Sequence, residues 1–226
     1  MVQGIFQYRK SRRLAEVEVD GYVVDAYMSN GIEMGFLKPG TICFLREADS
    51  ERRKTAYDLY SAYDESTLVC VDAKEPLRIA MEWYRERLQK ESTGEKISFI
   101  DDFRSSSFIC YRGRRIEMTV QVMGTSFLNK GNAYLPELAS SALNQRLESL
   151  LWMKRQGQGP RLLFVICRDD ADSFSSNVDA DLYFAKLLEE VYKADIPVEC
   201  LRCKVNENGM SPERLIPLKL PETEWL

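Results

Sequence analysis

Three turn signals, Asp20-Gly21, Asn30-Gly31 and Pro39-Gly40, cut the start of the chain into pieces too short for anything but strands. Between them and a charged loop bounded by Glu47 and Lys54 lie LAEVEV, YVVDAYM, TICFLRE, AYDLYSAY and STLVCVD. Each is rich in β-branched and aromatic residues, and none carries a helical repeat. Five short strands within residues 1–73 with no helix among them predict a small barrel of the OB type.

The pattern changes at Pro76. Leu77, Ala80, Met81, Tyr84 and Leu88 recur at helical spacing, which predicts an amphipathic helix ending before Ser92-Thr93-Gly94. SFICYR and RIEMTVQVM follow as a hairpin turned at Arg112-Gly113. A second helix is expected over residues 136–155, with Pro136 in its first turn and Leu143, Leu147, Leu150 and Leu151 on one face. Gln156-Gly157-Gln158-Gly159-Pro160 breaks it, and without a strand-loop-helix around them these glycines are a turn and not a phosphate loop. RLLFVICR reads as a buried strand and Phe184, Leu187, Leu188 and Val191 mark a third helix, capped by Asp179. PVECLRCKV is a further strand and RLIPLKL an edge strand. Helix, hairpin, helix, strand, helix, strand is an α/β arrangement on a mixed sheet, the element order of restriction-endonuclease-like domains. The expected division is an OB-like barrel over 1–75 and a nuclease-like domain over 76–226.

Composition removes several chemistries. The chain has no histidine, so serine or cysteine nucleophiles activated by histidine and histidine-ligated zinc are excluded. Hydrolysis here would need carboxylates, a lysine or a metal. Cys43, Cys70, Cys110 and Cys167 sit in apolar strand-like runs, the setting of small buried hydrophobes. Cys200 and Cys203 form a C-x-x-C, but on a strand positions three apart face opposite sides, which favours a structural role over metal or redox use. No apolar run approaches the roughly eighteen residues a membrane helix needs, and MVQGIFQYRKSRR has no apolar stretch of a secretory signal behind its charges. A cytoplasmic protein is the expectation. The net charge of −4 does not advertise nucleic-acid binding, yet the basic residues cluster: Arg9, Lys10, Arg12 and Arg13; Arg52, Arg53 and Lys54; Arg112, Arg114 and Arg115. Such clusters neutralise phosphates even on acidic proteins, and each is equally readable as a solvated turn.

Over nearly its whole length the chain resembles the bacterial sugar-fermentation-stimulation (SfsA) family. The residues that carry the resemblance are the basic stretch at 9–13, the turn Ser29-Asn30-Gly31 with Met34, Pro39-Gly40, Arg53-Lys54 with Tyr57, Val71-Asp72-Ala73 and Pro76-Leu77. In the second half, a gapless match from Val120 to Leu150 sets Tyr134-Leu135-Pro136-Glu137 on the family's proline motif and Leu147 and Leu150 on its helix leucines. The resemblance implies an N-terminal OB-like barrel, a C-terminal PD-(D/E)xK nuclease fold, and DNA as partner. It also implies where catalysis should sit, and there this chain departs. The acidic residue expected on one strand falls on Ser107, the glutamate and lysine of the next fall on Gln121 and Met123, and the charged helix motif becomes Ser140-Ser141-Ala142-Leu143.

Phosphodiester hydrolysis with Mg2+ needs carboxylates to hold the ion; a glutamine is a weak substitute and methionine is neither charge nor base. The expectation is a pseudonuclease that binds DNA through Arg9, Lys10, Arg12, Arg13, Arg53 and Lys54, with no cofactor; Tyr8, Tyr57 and Tyr60 are readable equally as stacking platforms and as barrel core or rim. Two alternatives stand beside it. One is a protein-interaction module that has abandoned nucleic acid, which Glu33 at the family's basic position before Met34 favours. The other slides the motif onto Ile116-Glu117-Met118-Thr119, so that Asp101, Asp102 and Glu117 bind Mg2+ in a rearranged nuclease site. The oligomeric state is open, a homodimer being one option.

Overall fold

A computed structural model of the chain describes residues 1–48, 53–91 and 95–220. The chain divides into two compact units. The first is built from Met1–Glu75, to which Cys167–Asp169 and Lys204–Ser211 are added; the remainder forms the second.

In the first unit six strands follow one another: β1 (Val2–Ser11), β2 (Leu14–Val19), β3 (Tyr22–Tyr27), β4 (Ile42–Glu47), β5 (Tyr57–Asp64) and β6 (Thr67–Cys70). Strand β1 pairs antiparallel with β2 on one side and β4 on the other, β2 with β3, and β4 with β5. A short parallel pairing of β3 with β5, Ala26 opposite Tyr57 and Tyr27 opposite Asp58, then shuts the ring. The result is the five-stranded OB barrel expected, with two corrections. The long first strand was absent from the strand list, and β6 (the segment STLVCVD) pairs with β5 outside the ring. Strand β1 can serve both neighbours because it bends at register shifts between Phe6 and Tyr8 and between Arg9 and Ser11. Its Gly4 lies where a Cβ would come within 2.5 Å of the Val17 side chain, so only glycine permits the close approach. Ala15, Val17 and Val19 of β2 alternate inward with Phe6, Ala26, Leu45 and Leu59 to fill the barrel, while Glu16 and Glu18 face out.

A buried ionic cluster finishes this unit. The Arg46 guanidinium lies 4.2 Å from the Tyr60 ring centre, donates to Glu75 at 2.8 Å and reaches Asp72 at 3.4 Å. Tyr60 donates to Glu75 at 3.1 Å and Ser29 to Asp72 at 2.8 Å. Asp72 and Glu75 are each 3% exposed, and these partners supply the hydrogen bonds and the opposite charge that buried carboxyl groups need. The chain at Cys167–Asp169 adds an N–H···O bond from Cys70 to the Cys167 carbonyl and an ion pair of Arg168 with Asp64 at 2.9 Å.

The second unit contains α1 (Glu75–Glu91), β7 (Ile97–Asp102), β8 (Ser107–Arg112), β9 (Arg115–Thr125), β10 (Leu128–Asn129), β11 (Asn132–Leu135), α2 (Ser141–Arg155), β12 (Pro160–Ile166), β13 (Ser173–Ser176), α3 (Leu182–Lys193), β14 (Val198–Asn206), β15 (Gly209–Leu215) and β16 (Leu218–Lys219). The tip of the β14–β15 pair and Glu75, the first residue of α1, belong to the first unit. The main sheet runs β15-β14-β12-β9-β8-β7: an antiparallel meander from β7 to β9, then β12 and β14 added in parallel. One face of β9, β12 and β14, with Met123, Leu162, Phe164, Ile166 and Cys200, packs against Leu147 and Leu150 of α2 and Phe184, Leu188 and Val191 of α3. On the other face Tyr84 of α1 sits edge-on to Phe108 at 5.7 Å and donates to Glu199 at 2.8 Å. Among the described residues no helix is long and apolar enough to cross a membrane.

Several local expectations change. Strand β7, ending in Asp101-Asp102, was not anticipated. Helix α2 starts at Ser141, capped by Ser140, and not at Pro136, which follows a cis peptide bond in the loop before it. The cap of α3 is Asp181 and not Asp179. RLIPLKL divides between the end of β15 and β16, which belongs to a separate small sheet β10-β11-β13-β16. Helix α1 is described to Glu91; its predicted stop, Ser92-Thr93-Gly94, lies outside the described residues, as does Arg52 of the charged loop.

Candidate functional site

The barrel closure decides where the basic residues gather. Arg12-Arg13 is the two-residue turn between β1 and β2, and Leu14, which follows it, pairs with Tyr27 at the end of β3. Tyr27 pairs in turn with Asp58 at the start of β5, immediately after the β4–β5 loop that carries Arg53 and Lys54. The β1–β2 and β4–β5 loops therefore meet at one rim, and these two loops flank the surface on which OB barrels take their ligands. The Arg53 guanidinium stands 5.2 Å from the Tyr27 ring centre, within cation–π range.

The six basic residues differ in what remains available. Arg9 is spent on backbone carbonyls, donating to Ser11, Ile32 and Arg12 at 3.1, 3.0 and 2.6 Å. Lys10 pairs with Asp25 at 3.0 Å and Glu16 at 3.1 Å, and those bonds, Asp25 first, raise its pKa. Arg53 grips the buried Asp58 with both Nη atoms. Arg13 donates to the Ser29 carbonyl, and its neighbour Arg12 lies against Gly31. Arg12, Arg13 and Lys54 are exposed. Beside the rim, the outer face of β2 and β3 presents Glu16, Glu18 and Asp25. Of the three tyrosines, Tyr8 is 49% exposed and held by a hydrogen bond to Glu16, Tyr57 is half-buried, and Tyr60 is fully buried on Glu75. Tyr60 is therefore barrel core, the second of its two expected roles, and is not available for stacking. Arg112 is held by Glu117, leaving Arg114 and Arg115 exposed at the β8–β9 tip.

In the second unit the register brings two of the three expected catalytic positions face to face. Ser107 pairs directly with Gln121, and Asp102 directly with Ser107, making one cross-strand row. A hydrogen-bond net joins the row: Ser105 Oγ donates to Asp102 at 2.8 Å and lies 2.6 Å from Ser107 Oγ. The Gln121 amide donates to the Ser105 and Ser106 carbonyls at 2.7 and 3.0 Å, capping the β7–β8 turn from beneath. The Ser105 hydroxyl, and then the Arg104 N–H, hold the Asp102 carboxyl below its ordinary pKa. Met123, next on the same face, is 1% exposed and part of the core beneath α2 and α3.

The alternative ligands do not converge. Asp101 and Asp102 are consecutive on a strand and point to opposite faces. Glu117 lies four residues from Gln121 along β9, roughly 13 Å at the usual strand rise, and is engaged by Arg112 through two bonds of 2.6 and 2.8 Å. Among the described residues no group of three or more acidic or cysteine side chains is placed to hold a metal ion. All six cysteines are buried and free; Cys200 faces the α2–α3 core, and burial pushes its thiol up to about 12.

One device was missed in the sequence. Asp181 caps α3 through the Phe184 N–H at 2.9 Å and also accepts from the Ser140 N–H and the Asn144 amide of the α2 start, each at 3.1 Å. Burial pushes its pKa up, but these donors outweigh burial and hold the carboxyl low.

Comparison with known proteins agrees with this architecture. Residues 8–71 match the family model of the SfsA N-terminal OB domain, and residues 78–209 that of the sugar fermentation stimulation protein RE domain. A sugar fermentation stimulation protein homolog from Desulfitobacterium hafniense is 29% identical over 97% of this chain and 96% of its own length. One from Ruminiclostridium cellulolyticum is 24% identical, covering 96% and 97% respectively. The solved structure of Pyrococcus furiosus SfsA in complex with Ca2+ superposes with a TM-score of 0.82 at 17% identity, over 96% of this chain and 95% of that one. With both halves matched in order and over nearly their whole length, the chain belongs to the sugar fermentation stimulation protein (SfsA) family.

Proposed function

We propose that this protein binds nucleic acid at the barrel rim and does not cleave it. The observation that carries the reading is the convergence of the β1–β2 turn and the β4–β5 loop through the β3–β5 closure, which gathers Arg12, Arg13, Arg53 and Lys54. Phosphates docked there release counterions, which is where affinity for a polyanion comes from on a protein of net negative charge. Tyr8, half-exposed and hydrogen-bonded to Glu16, offers a ring on which a base can stack.

The loss of cleavage rests on donor chemistry. A magnesium ion on the sheet needs carboxylates from adjacent strands, and the cross-strand row supplies Asp102 with a hydroxyl and an amide whose N–H atoms are committed to carbonyls. The residues do not fit the ion. The Pyrococcus furiosus relative was solved in complex with Ca2+; for this chain Mg2+ and Ca2+ are expected to leave the melting temperature unchanged.

Fluorescence anisotropy of labelled single- and double-stranded DNA, titrated at several salt concentrations with Mg2+ present, tests both halves. Binding should weaken with salt, and replacing Arg12, Arg13 and Lys54 by alanine together should reduce the log–log slope by about two to three on duplex DNA. The strands should run intact on a denaturing gel. A second reading, a protein-interaction module, is favoured by Glu16, Glu18 and Asp25 on the barrel face beside the rim. Absence of binding at low salt would select it.

A further inference from the structure

Alongside β1, the connection from β3 to β4 folds back and encloses a small cavity. It is pinned there by the Phe6 N–H to the Thr41 carbonyl and the Gly40 N–H to the Phe6 carbonyl, both at 2.8 Å. The cavity measures about 170 Å³ and is lined by Phe6, Tyr8, Met28, Met34, Leu37 and Glu33. That is below the volume of sites for drug-sized ligands and suits one flat ring system. Its walls suit a ring too. Met28 and Met34 are each 3% exposed, polarisable and adaptable, and the half-exposed Tyr8 ring has its hydroxyl fixed on Glu16 at 3.1 Å.

The polar groups narrow the choice of ring. Glu33 is exposed and makes no hydrogen bond or ion pair among the described residues. Arg9, also in the wall, satisfies its guanidinium on three backbone carbonyls. One of those carbonyls belongs to Arg12, which ties the cavity wall to the basic turn. A chain whose phosphates lie on Arg12 and Arg13 therefore has a ring-sized slot next to it. An ionised carboxylate only accepts hydrogen bonds. Of the four bases, guanine alone presents two adjacent donors, N1–H and the 2-amino group, to a pair of carboxylate oxygens. Adenine and cytosine set one amino group beside a repelling ring nitrogen, and the thymine N3–H lies between two carbonyls.

We propose that this cavity is a base-recognition pocket, stacking an unpaired guanine on Tyr8 and reading its N1–H and 2-amino edge with Glu33. The inference rests on the nucleic-acid reading above. It is tested with the full chain by anisotropy on labelled oligothymidylates carrying one central guanine, one hypoxanthine, or neither. The guanine strand should bind about tenfold tighter than plain oligothymidylate, as a bidentate contact to one base implies. Hypoxanthine, which lacks the 2-amino group, should lose most of that gain. In Glu33→Gln and in Tyr8→Ala the ratio of guanine to plain strand should fall to near one, with melting curves showing both variants folded. Equal affinity of the wild-type protein for all three strands would overturn the pocket and leave rim binding standing. No binding of any strand at low salt would instead bring down the rim reading, and this pocket with it.

Discussion

Gln121 gives both of its amide hydrogens to carbonyls of the turn that joins β7 to β8, and at 5% exposure it does so nearly out of water. A carboxylate there would turn two attractions into repulsions between acceptors. Gln121→Glu, which puts a carboxylate at that position, should therefore destabilise the protein by about 3 kcal/mol and confer no cleavage. Gln121→Ala should cost less, about 1–2 kcal/mol, because it leaves the carbonyls unsatisfied but adds no charge. Urea unfolding of the two variants gives the order; a stable, cleaving Gln121→Glu protein would contradict it. Position 121 could be picked out from the sequence, since the gapless match from Val120 to Leu150 singles it out. What it does could not, because Ser105 and Ser106 reach it only through strand register.

At the scale of elements, the Asp181 carboxylate bridges the starts of α2 and α3, which makes two helices depend on one charge. Asp181→Ala should cost about 2 kcal/mol, near the upper end for one cap, since it also frees the Ser140 N–H. The carboxyl is held below its ordinary value. Its contribution is thus complete above the unfolded aspartate pKa of about 4 and fades as pH falls through the lower folded value. Urea unfolding of wild type and Asp181→Asn should show a gap at neutral pH that narrows in acid; a gap that widens would refute the assignment. The sequence signalled elements with a regular repeat and hid those without one. Strands β2 and β3 were readable from LAEVEV and YVVDAYM, but β1 carries two register shifts that scramble its alternation and a run of basic residues that looks like a turn. Strand β7 is an exposed edge whose last residues, Asp101-Asp102, resemble a loop. The Asp179–Asp181 ambiguity has the same origin: two acidic residues flank one helix start, and only the fold decides which one meets the N–H groups.

For the molecule as a whole, apolar composition and turn spacing were enough to indicate a barrel followed by a mixed α/β sheet. The pairing that closes the barrel, two residues of β3 against two of β5, left no trace in the sequence because it joins residues 31 positions apart. The cysteines report on the integrity of both units: all six are buried, and burial pushes Cys43 and Cys200 up to about 12. Native protein should react with a thiol reagent at none of them near neutral pH, and at all six once unfolded in guanidinium; rapid native labelling would contradict the packing. The first unit also has a consequence for how the protein is made. It draws on Lys204–Ser211, residues that leave the ribosome long after the strands of the barrel. The barrel, whose strands are synthesised earlier, must wait for most of the second unit to be translated before its own unit is whole. A ribosome stalled anywhere before those codons would hold out an N-terminal half with part of its surface still uncovered, and the time spent in that state would be set by translation speed.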